Sequence, residues 1–348
     1  MIDKRFWKNK RVFLTGHTGF KGSWLSLWLT SLEARVTGYA LNPPTNPNLY
    51  NLCKIDQLLD SCISDIRNLS NLTRAVRAAD PQIIFHLAAQ PLVRESYQYP
   101  IETYQTNVMG TANLLEAART AKNARAIVVV TTDKCYENAG RGRDFCETDP
   151  LGGFDPYSSS KAGAELVTSA YRNSFFGGGR VVSARAGNVV GGGDFALDRL
   201  VPDCIRAYLS GKKLLIRNPS ATRPWQHVLE PLSGYLLLAE KLYADDRRYA
   251  GAWNFGPSKR LVKPVIWVAR KLCAYLEMED KLEIDRRSHP HEASLLSLNS
   301  AKAHRLLGWR GQWSLEQTLA SIAAWTKHYV RRENLRQVCL RQIEEYMR

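Results

Sequence analysis

The chain has 348 residues, 45% of them hydrophobic and 23% charged, a globular balance with enough apolar content for one large or two intimately joined domains. Its 48 Lys and Arg against 33 Asp and Glu leave a formal charge of +15, a field that favours anionic partners without choosing among nucleic acid, membrane surface and phosphorylated small molecules. No block of five like charges marks a nucleic-acid tail, no stretch approaches the ~18 apolar residues of a membrane span, and the cysteines form no CxxC pair; the expectation is a cytoplasmic protein with reduced thiols, no metal, and neither nucleic-acid nor membrane partners.

In chain order, short β-branched runs at 11–15, 36–40, 82–88, 126–131 and 180–185 read as strands, with a further strand presumed just before Asp65. Amphipathic stretches at 23–32, 69–78, 103–121 and 157–175 read as the helices between them. This change of period predicts repeated βαβ units and a doubly wound, Rossmann-like α/β sheet. After Gly187 the alternation lapses into a Gly, Arg and Pro-rich stretch, followed by a helix at 229–242, a strand at 253–255 and a helix at 315–329. The predicted division is a dinucleotide-binding domain at 1–187, to which 228–256 returns, and a smaller C-terminal substrate-binding lobe within 188–348.

The run Gly16-His17-Thr18-Gly19-Phe20-Lys21-Gly22 stands between the first strand and the first helix. There a glycine turn and a helix N-terminus make a cradle for a pyrophosphate, Gly16 for the turn, Gly19 for close backbone approach and Gly22 for helix packing. The acid that usually holds the adenosine ribose ~20 residues later is absent, because Leu41-Asn42-Pro43-Pro44 stands there. No Arg or Lys occurs between Val36 and Cys53 to hold a 2′-phosphate, which favours NAD over NADP. Asp65-Ile66 either faces the adenine or caps the next turn.

Tyr157 and Lys161, four apart at a helix start, point from one face. An ammonium and an oxidised nicotinamide would together stabilise the phenolate, making Tyr157 a base for a hydroxyl while Lys161 holds the nicotinamide ribose. Thr132-Asp133-Lys134 follows the fifth predicted strand, at the carboxyl edge where open α/β sheets bind ligands. Thr132 bridges substrate to Tyr157, and Asp133 and Lys134 supply an acid and a base that a bare alcohol oxidation does not need. Arg94, Asn188, Arg199 and Arg223 fit a nucleotide-sugar grip, since Arg takes phosphate in a bidentate manner. His289-Pro290-His291-Glu292 lacks the further partners of a metal site and reads as a loop.

Gly16 to Gly22, His86-Leu87-Ala88-Ala89-Gln90, Asn107 to Gly110 and Tyr157-Ser158-Ser159-Ser160-Lys161 together resemble the extended short-chain dehydrogenase/reductases. Within that group GHTGFKGSWLSLWL, TTDKCYEN, LGGFDPYSSSKA and RPWQHVLEPLSGYL are similar to the CDP-glucose 4,6-dehydratases, over nearly the whole chain. The resemblance implies an NAD-dependent hydro-lyase of deoxysugar biosynthesis acting on CDP-glucose, with Thr132, Asp133, Lys134, Tyr157 and Lys161 as the catalytic set. Gly16, Gly19, Phe20, Lys21, Gly22, Asp65, Ile66, Ala88 and Asn107 would line the NAD site. It also implies a homodimer, or a dimer of dimers, formed through the helices at 103–121 and 157–175. A 4-epimerase would need neither Asp133 nor Lys134. Two departures stand out: Thr131-Thr132 replaces the family's Thr-Ser, and Gly140-Arg141-Gly142-Arg143 is basic where relatives carry aromatic residues.

Overall fold

A computed structural model describes residues 2–138, 143–285 and 296–348. Seven parallel strands form the central sheet: β1 (Arg11–Thr15), β2 (Arg35–Ala40), β3 (Asp60–Ile63), β4 (Ile83–His86), β5 (Ala126–Thr132), β6 (Val181–Ala186) and β7 (Gly251–Asn254), in the order β7-β6-β5-β4-β1-β2-β3. The order reverses between β1 and β4, which opens a crevice outside their carboxyl ends. Central β4, β5 and β6 are buried along their whole length, as expected of a parallel sheet covered on both faces. Edge strand β3 has no fully buried residue.

One face carries the larger core and the other a smaller one built on Phe13, Ile84, Ile127 and Val129. Helix Phe20–Ser31 is buried at every residue from Gly22 to Leu29, a pattern that needs cover all round. The cover comes from the sheet and from the C-terminal helix Leu335–Met347, whose Met347 Sδ accepts the Trp28 indole N–H at 3.3 Å. Glu230, buried on helix Leu229–Ala244, accepts from the Trp313 backbone and the Tyr346 hydroxyl, fastening the C-terminal segments to the same face.

Differences from the expected elements have local causes. The first helix begins at Phe20 rather than 23, because Gly19 itself is the N-cap. The fourth strand stops at His86, where the Thr15 hydroxyl accepts the Leu87 and Ala88 N–H groups and bends the chain away. Helical structure in the third stretch starts at Pro100, which suits a first helical position, and passes through a π-helical turn at Gln105–Met109 into Gly110–Ala118. Beyond Gly187 three two-stranded ladders, 189–190 with 226–227, 222–224 with 262–264 and 214–216 with 282–284, stand outside the main sheet. Helices Leu200–Ser210, Val265–Tyr275 and Leu335–Met347 were not anticipated.

Candidate active site

Directly after β1 the chain turns at Gly16, where φ is 78° and a Cβ would stand 2.7 Å from Ala88 N. A Cβ on Gly22 would lie 2.0 Å from the Gly16 carbonyl, so the helix presses on the turn. At Gly19 an added Cβ would meet only that same carbonyl, at 3.4 Å, leaving the outer side open. The helix that follows has no side-chain cap and no acid in its first turn. Its free N–H groups and positive dipole end are therefore available to an anion. Burial pushes His17 down to about 4, and its Nε2 pairs with the Ser61 hydroxyl at 2.7 Å; the neutral ring fits only because residue 38 is glycine. Lys21 donates to the Tyr235 hydroxyl at 3.2 Å. Burial, helped by Lys161 and Arg199 and opposed by Asp133, brings its ammonium down to about 7.

Helix Pro156–Phe175 starts where it does because Asp155 caps it, accepting Ser158 N–H at 2.9 Å, and Pro156 takes the first position. That places Tyr157 and Lys161 in the first two turns, both buried. The Ser96 hydroxyl accepts Tyr157 N–H. Burial pushes the Tyr157 phenol up to about 12, while a hydrogen bond with Thr132 and the charge of Arg199 pull it back. Burial pushes Lys161 down to about 8, with Glu165, one turn further on, opposing. Its ammonium donates to the Val130 carbonyl at 3.4 Å.

β5 ends in a single 3₁₀ turn, Asp133–Cys135, which Thr132 caps by accepting Lys134 N–H. Thr132 donates to Asp133 Oδ1 at 2.9 Å. Asp133 is 4% exposed, and burial raises its carboxyl above the usual range against the pull of Lys134 and Thr132. Gly187, at the end of β6, makes room for it, since a Cβ there would be 2.6 Å from Asp133 Oδ2. Thr132, Asp133 and Tyr157 thus converge where β5 meets the helix, a grouping of a proton donor, a proton acceptor and a bridging hydroxyl that suits acid–base chemistry on a sugar.

The remaining expected site residues make the following contacts. Asp65 pairs with Arg67 at 2.6 Å and accepts its N–H at 2.8 Å, the contacts of a turn cap. Ile66 is buried in the smaller core against Gly110. Asn107 spends its carboxamide on Gln90 backbone groups and the Ser160 hydroxyl, bracing the chain after β4 against helix Pro156–Phe175. Arg94 and Arg217 share Asp198, and Arg199 pairs with Asp194 at 3.1 Å. Arg223 is half-buried in the 222–224 ladder, and the Asn188 carbonyl accepts Gln226 N–H. Residues 139–142 and 286–295, which include most of the basic segment and the whole His289–Glu292 run, lie outside the described residues. Tyr235, Gly187, Ser96 and Arg217 were not anticipated; the signal for Tyr235 was its place in the RPWQHVLEPLSGYL run.

Comparison with known proteins gives the family. The model of the family described as GDP-mannose 4,6 dehydratase matches residues 13–322. The chain is 49% identical to the CDP-glucose 4,6-dehydratase of Salmonella typhimurium, with 100% of this chain and 99% of that protein aligned. A dTDP-glucose 4,6-dehydratase from Streptomyces venezuelae solved with NAD superposes with a TM-score of 0.78 at 26% identity, over 91% of this chain and 97% of that one. The Bacillus anthracis dTDP-glucose 4,6-dehydratase in complex with NAD gives 0.77 at 26% identity, over 92% and 97%. By its sequence along most of its length and by its fold, this chain belongs to the GDP-mannose 4,6 dehydratase family.

Proposed function

We propose that the protein is an NAD-dependent hydro-lyase that converts CDP-glucose to CDP-4-dehydro-6-deoxy-glucose. The observation that carries the reading is the buried Asp133 carboxyl beside Thr132 and Tyr157 at the carboxyl end of β5, since a nucleotide-sugar 4-epimerase would need no acid there. The CDP moiety rests on the 49% identity to a protein of that name.

NAD fits the residues present. The open side of Gly19 and the uncapped helix after it suit a pyrophosphate, with Gly16, Phe20, Lys21 and Gly22 around it. Ala88, Asp65, Ile66 and Asn107 would border the nucleosides, Asn107 by holding Gln90 and Ser160 in place. When bound, NAD supplies reversible hydride acceptance, first from C4 and later back to C6. Tyr157 takes the proton of the 4-hydroxyl, relayed through the Thr132 hydroxyl, and Lys161 holds the ribose and adds positive charge beside the phenol. The Arg199 charge favours the same phenolate. Lys134 removes the C5 proton, made acidic by the 4-ketone, and Asp133 protonates the departing 6-hydroxyl, a role its raised proton affinity suits. In our reading residues 188–348, apart from the segment 228–256 that returns to the main domain, form the nucleotide-sugar lobe, with Arg94, Asn188, Arg199 and Arg223 toward the diphosphate. The ion pairs of Arg94 and Arg199 with Asp198 and Asp194 would open or shift to admit it.

We further propose a homodimer through helices Pro100–Tyr104, Gly110–Ala118 and Pro156–Phe175, supported by Ile101, Met109 and Leu166, which are 69%, 55% and 61% exposed. The seven free cysteines support a reducing, cytoplasmic setting. Among the described residues no helix is long and apolar enough to cross a membrane. The product class, a 4-keto-6-deoxy nucleotide sugar, suits deoxysugar supply for surface polysaccharide.

The test uses CDP-glucose deuterated at C4, with UDP-, GDP- and dTDP-glucose beside it. The label should reappear at C6 of the same molecule with solvent hydrogen at C5, NAD should support the rate and NADP should not. Return of label to C4 with the 6-hydroxyl kept would make the protein an epimerase, and faster turnover of another nucleotide sugar would move the base assignment.

A further inference from the structure

Behind the catalytic turn lies a buried ion pair that no step above uses. Glu165, on helix Pro156–Phe175, and Arg185, in β6, are 4% and 3% exposed and meet twice, Arg185 Nε donating to Oε1 at 2.9 Å and Nη2 to Oε2 at 2.7 Å. Ser183 donates a further bond to Oε2 at 2.6 Å. A buried pair of this kind adds little net stability over apolar packing, so its presence asks for another account. Its remaining contacts supply one. The Thr131 hydroxyl donates to Glu165 Oε1. Arg185 Nη1 donates to the Tyr136 hydroxyl at 2.7 Å and to the Glu147 carbonyl at 3.2 Å. Thr131 and Tyr136 flank Thr132-Asp133-Lys134-Cys135 on its two sides. Tyr136 is fixed further by donating to Asn254 Oδ1 at 2.8 Å, at the end of β7, and by stacking on Phe145 with centroids 4.9 Å apart.

We propose that the Glu165–Arg185 pair is a clamp on both ends of the Thr132-Asp133-Lys134 turn, positioning the acid and base for elimination; this rests on the dehydratase reading. The turn itself is a single 3₁₀ turn whose side-chain cap, Thr132 to Lys134 N, is long at 3.4 Å. Such a segment has little rigidity of its own. The carboxylate and guanidinium are planar and joined at two points, so they fix direction as well as distance. Tyr157 and Lys161 stand on a regular helix, and Thr132, which relays the proton to Tyr157, is the last residue of β5 and is held in the sheet in register with Ala186, so these three depend on the clamp less than Asp133 and Lys134 do. Loosening the clamp therefore separates the two halves of the reaction: oxidation at C4 continues, while loss of water slows.

The variants are Tyr136→Phe, Thr131→Val and Thr131→Ser, assayed as full-length enzyme with NAD and CDP-glucose for kcat, KM, absorbance of reduced cofactor at steady state, and thermal melting. Tyr136→Phe and Thr131→Val should lower kcat for dehydration about 10-fold or more, since misplacement by ~1 Å costs ~100-fold, with KM within about threefold and reduced cofactor accumulating. Thr131→Ser, which keeps the hydroxyl, should restore kcat to within about threefold of the wild type and remove the absorbance. Wild-type kcat in both hydroxyl-deletion variants would overturn the clamp, as would a parallel loss of kcat, KM and melting temperature without the absorbance. If Tyr136→Phe does not fold, the Thr131 pair decides by the same criteria. A wild type that forms no 4-keto sugar overturns the dehydratase reading and this inference with it, whereas active wild type beside equally active variants overturns the clamp alone.

Discussion

At the carboxyl edge of the sheet Asp133, Tyr157 and Lys161 are each less than a tenth exposed. At the amino edge Arg11, Arg125 and Arg180, standing at or just before the starts of β1, β5 and β6, border a cleft of about 490 Å³ together with Lys122 and Tyr243. That cleft is roomy and strongly basic, yet its charges are solvated or locally answered: Asp80 takes Arg11 at 2.9 Å and both of its oxygens accept from Asn123, while Arg125 lies over the Tyr243 ring at 4.7 Å. Helix C-termini gather on this side of a parallel sheet, and cations complement their negative ends. Size of cavity and density of charge are not what sets the proposed site apart. Burial of a few groups against one another is, because low solvent access turns proximity into altered proton affinity.

Four substitutions test that contrast. The largest effect is expected for Tyr157→Phe, which should leave NAD binding intact and lower turnover roughly 100 to 10,000-fold, as loss of a general base does; activity within threefold of the wild type would remove Tyr157 from its role. Asp133→Asn should still pass hydride from C4, then stall, so dehydration falls about 100-fold and absorbance of the reduced cofactor builds up on adding substrate. Dehydration at the normal rate would refute the acid assignment.

A half-buried acid toward the amino edge sharpens the comparison in another way. Glu240, on the same helix as Tyr243, accepts the Trp7 indole N–H at 2.6 Å and Asp3 N–H at 3.0 Å, and burial pushes it up to about 7. Because the folded pKa is raised above that of the unfolded chain, the protonated form favours folding. That contribution is complete below the unfolded carboxyl range near ~4.3 and is lost as pH rises through about 7. Glu240→Gln keeps the acceptor and removes the titration, so the variant should be more stable than the wild type at pH 8 by about 1–2 kcal/mol after allowance for solvent access, and should show a flatter dependence of melting temperature between pH 5 and 8. Identical pH profiles would count against it. The smallest effect is expected for Arg125→Ser, with kcat/KM within twofold of the wild type; a tenfold loss would mean that the basic cleft takes part in turnover after all.

How far the sequence could be read differs between these regions. The glycine turn, Tyr157 with Lys161, and the Thr132-Asp133-Lys134 run are each contiguous or within one helical turn, so local geometry makes them legible. Asp155 and Pro156 are likewise a local signal for where their helix starts. Asp65 offered two local roles, and its pairing with Arg67 two residues on is the part that the structure adds. Arg94 was legible as a cation but not as the partner of Asp198, since the two are 104 residues apart.

The sequence by itself determined the doubly wound sheet through its alternation of β-branched runs and amphipathic helices, and the order of the chemistry along it through contiguous motifs. Tertiary structure alone decided what those groups feel. It brought Gly187 beside Asp133, Arg199 into the field of Tyr157, and Arg185 from β6 onto Glu165 and Tyr136. The reason is physical: periodicity and capping are set by neighbours in the chain, whereas desolvation and charge pairing depend on which distant segments exclude water from the same few ångströms.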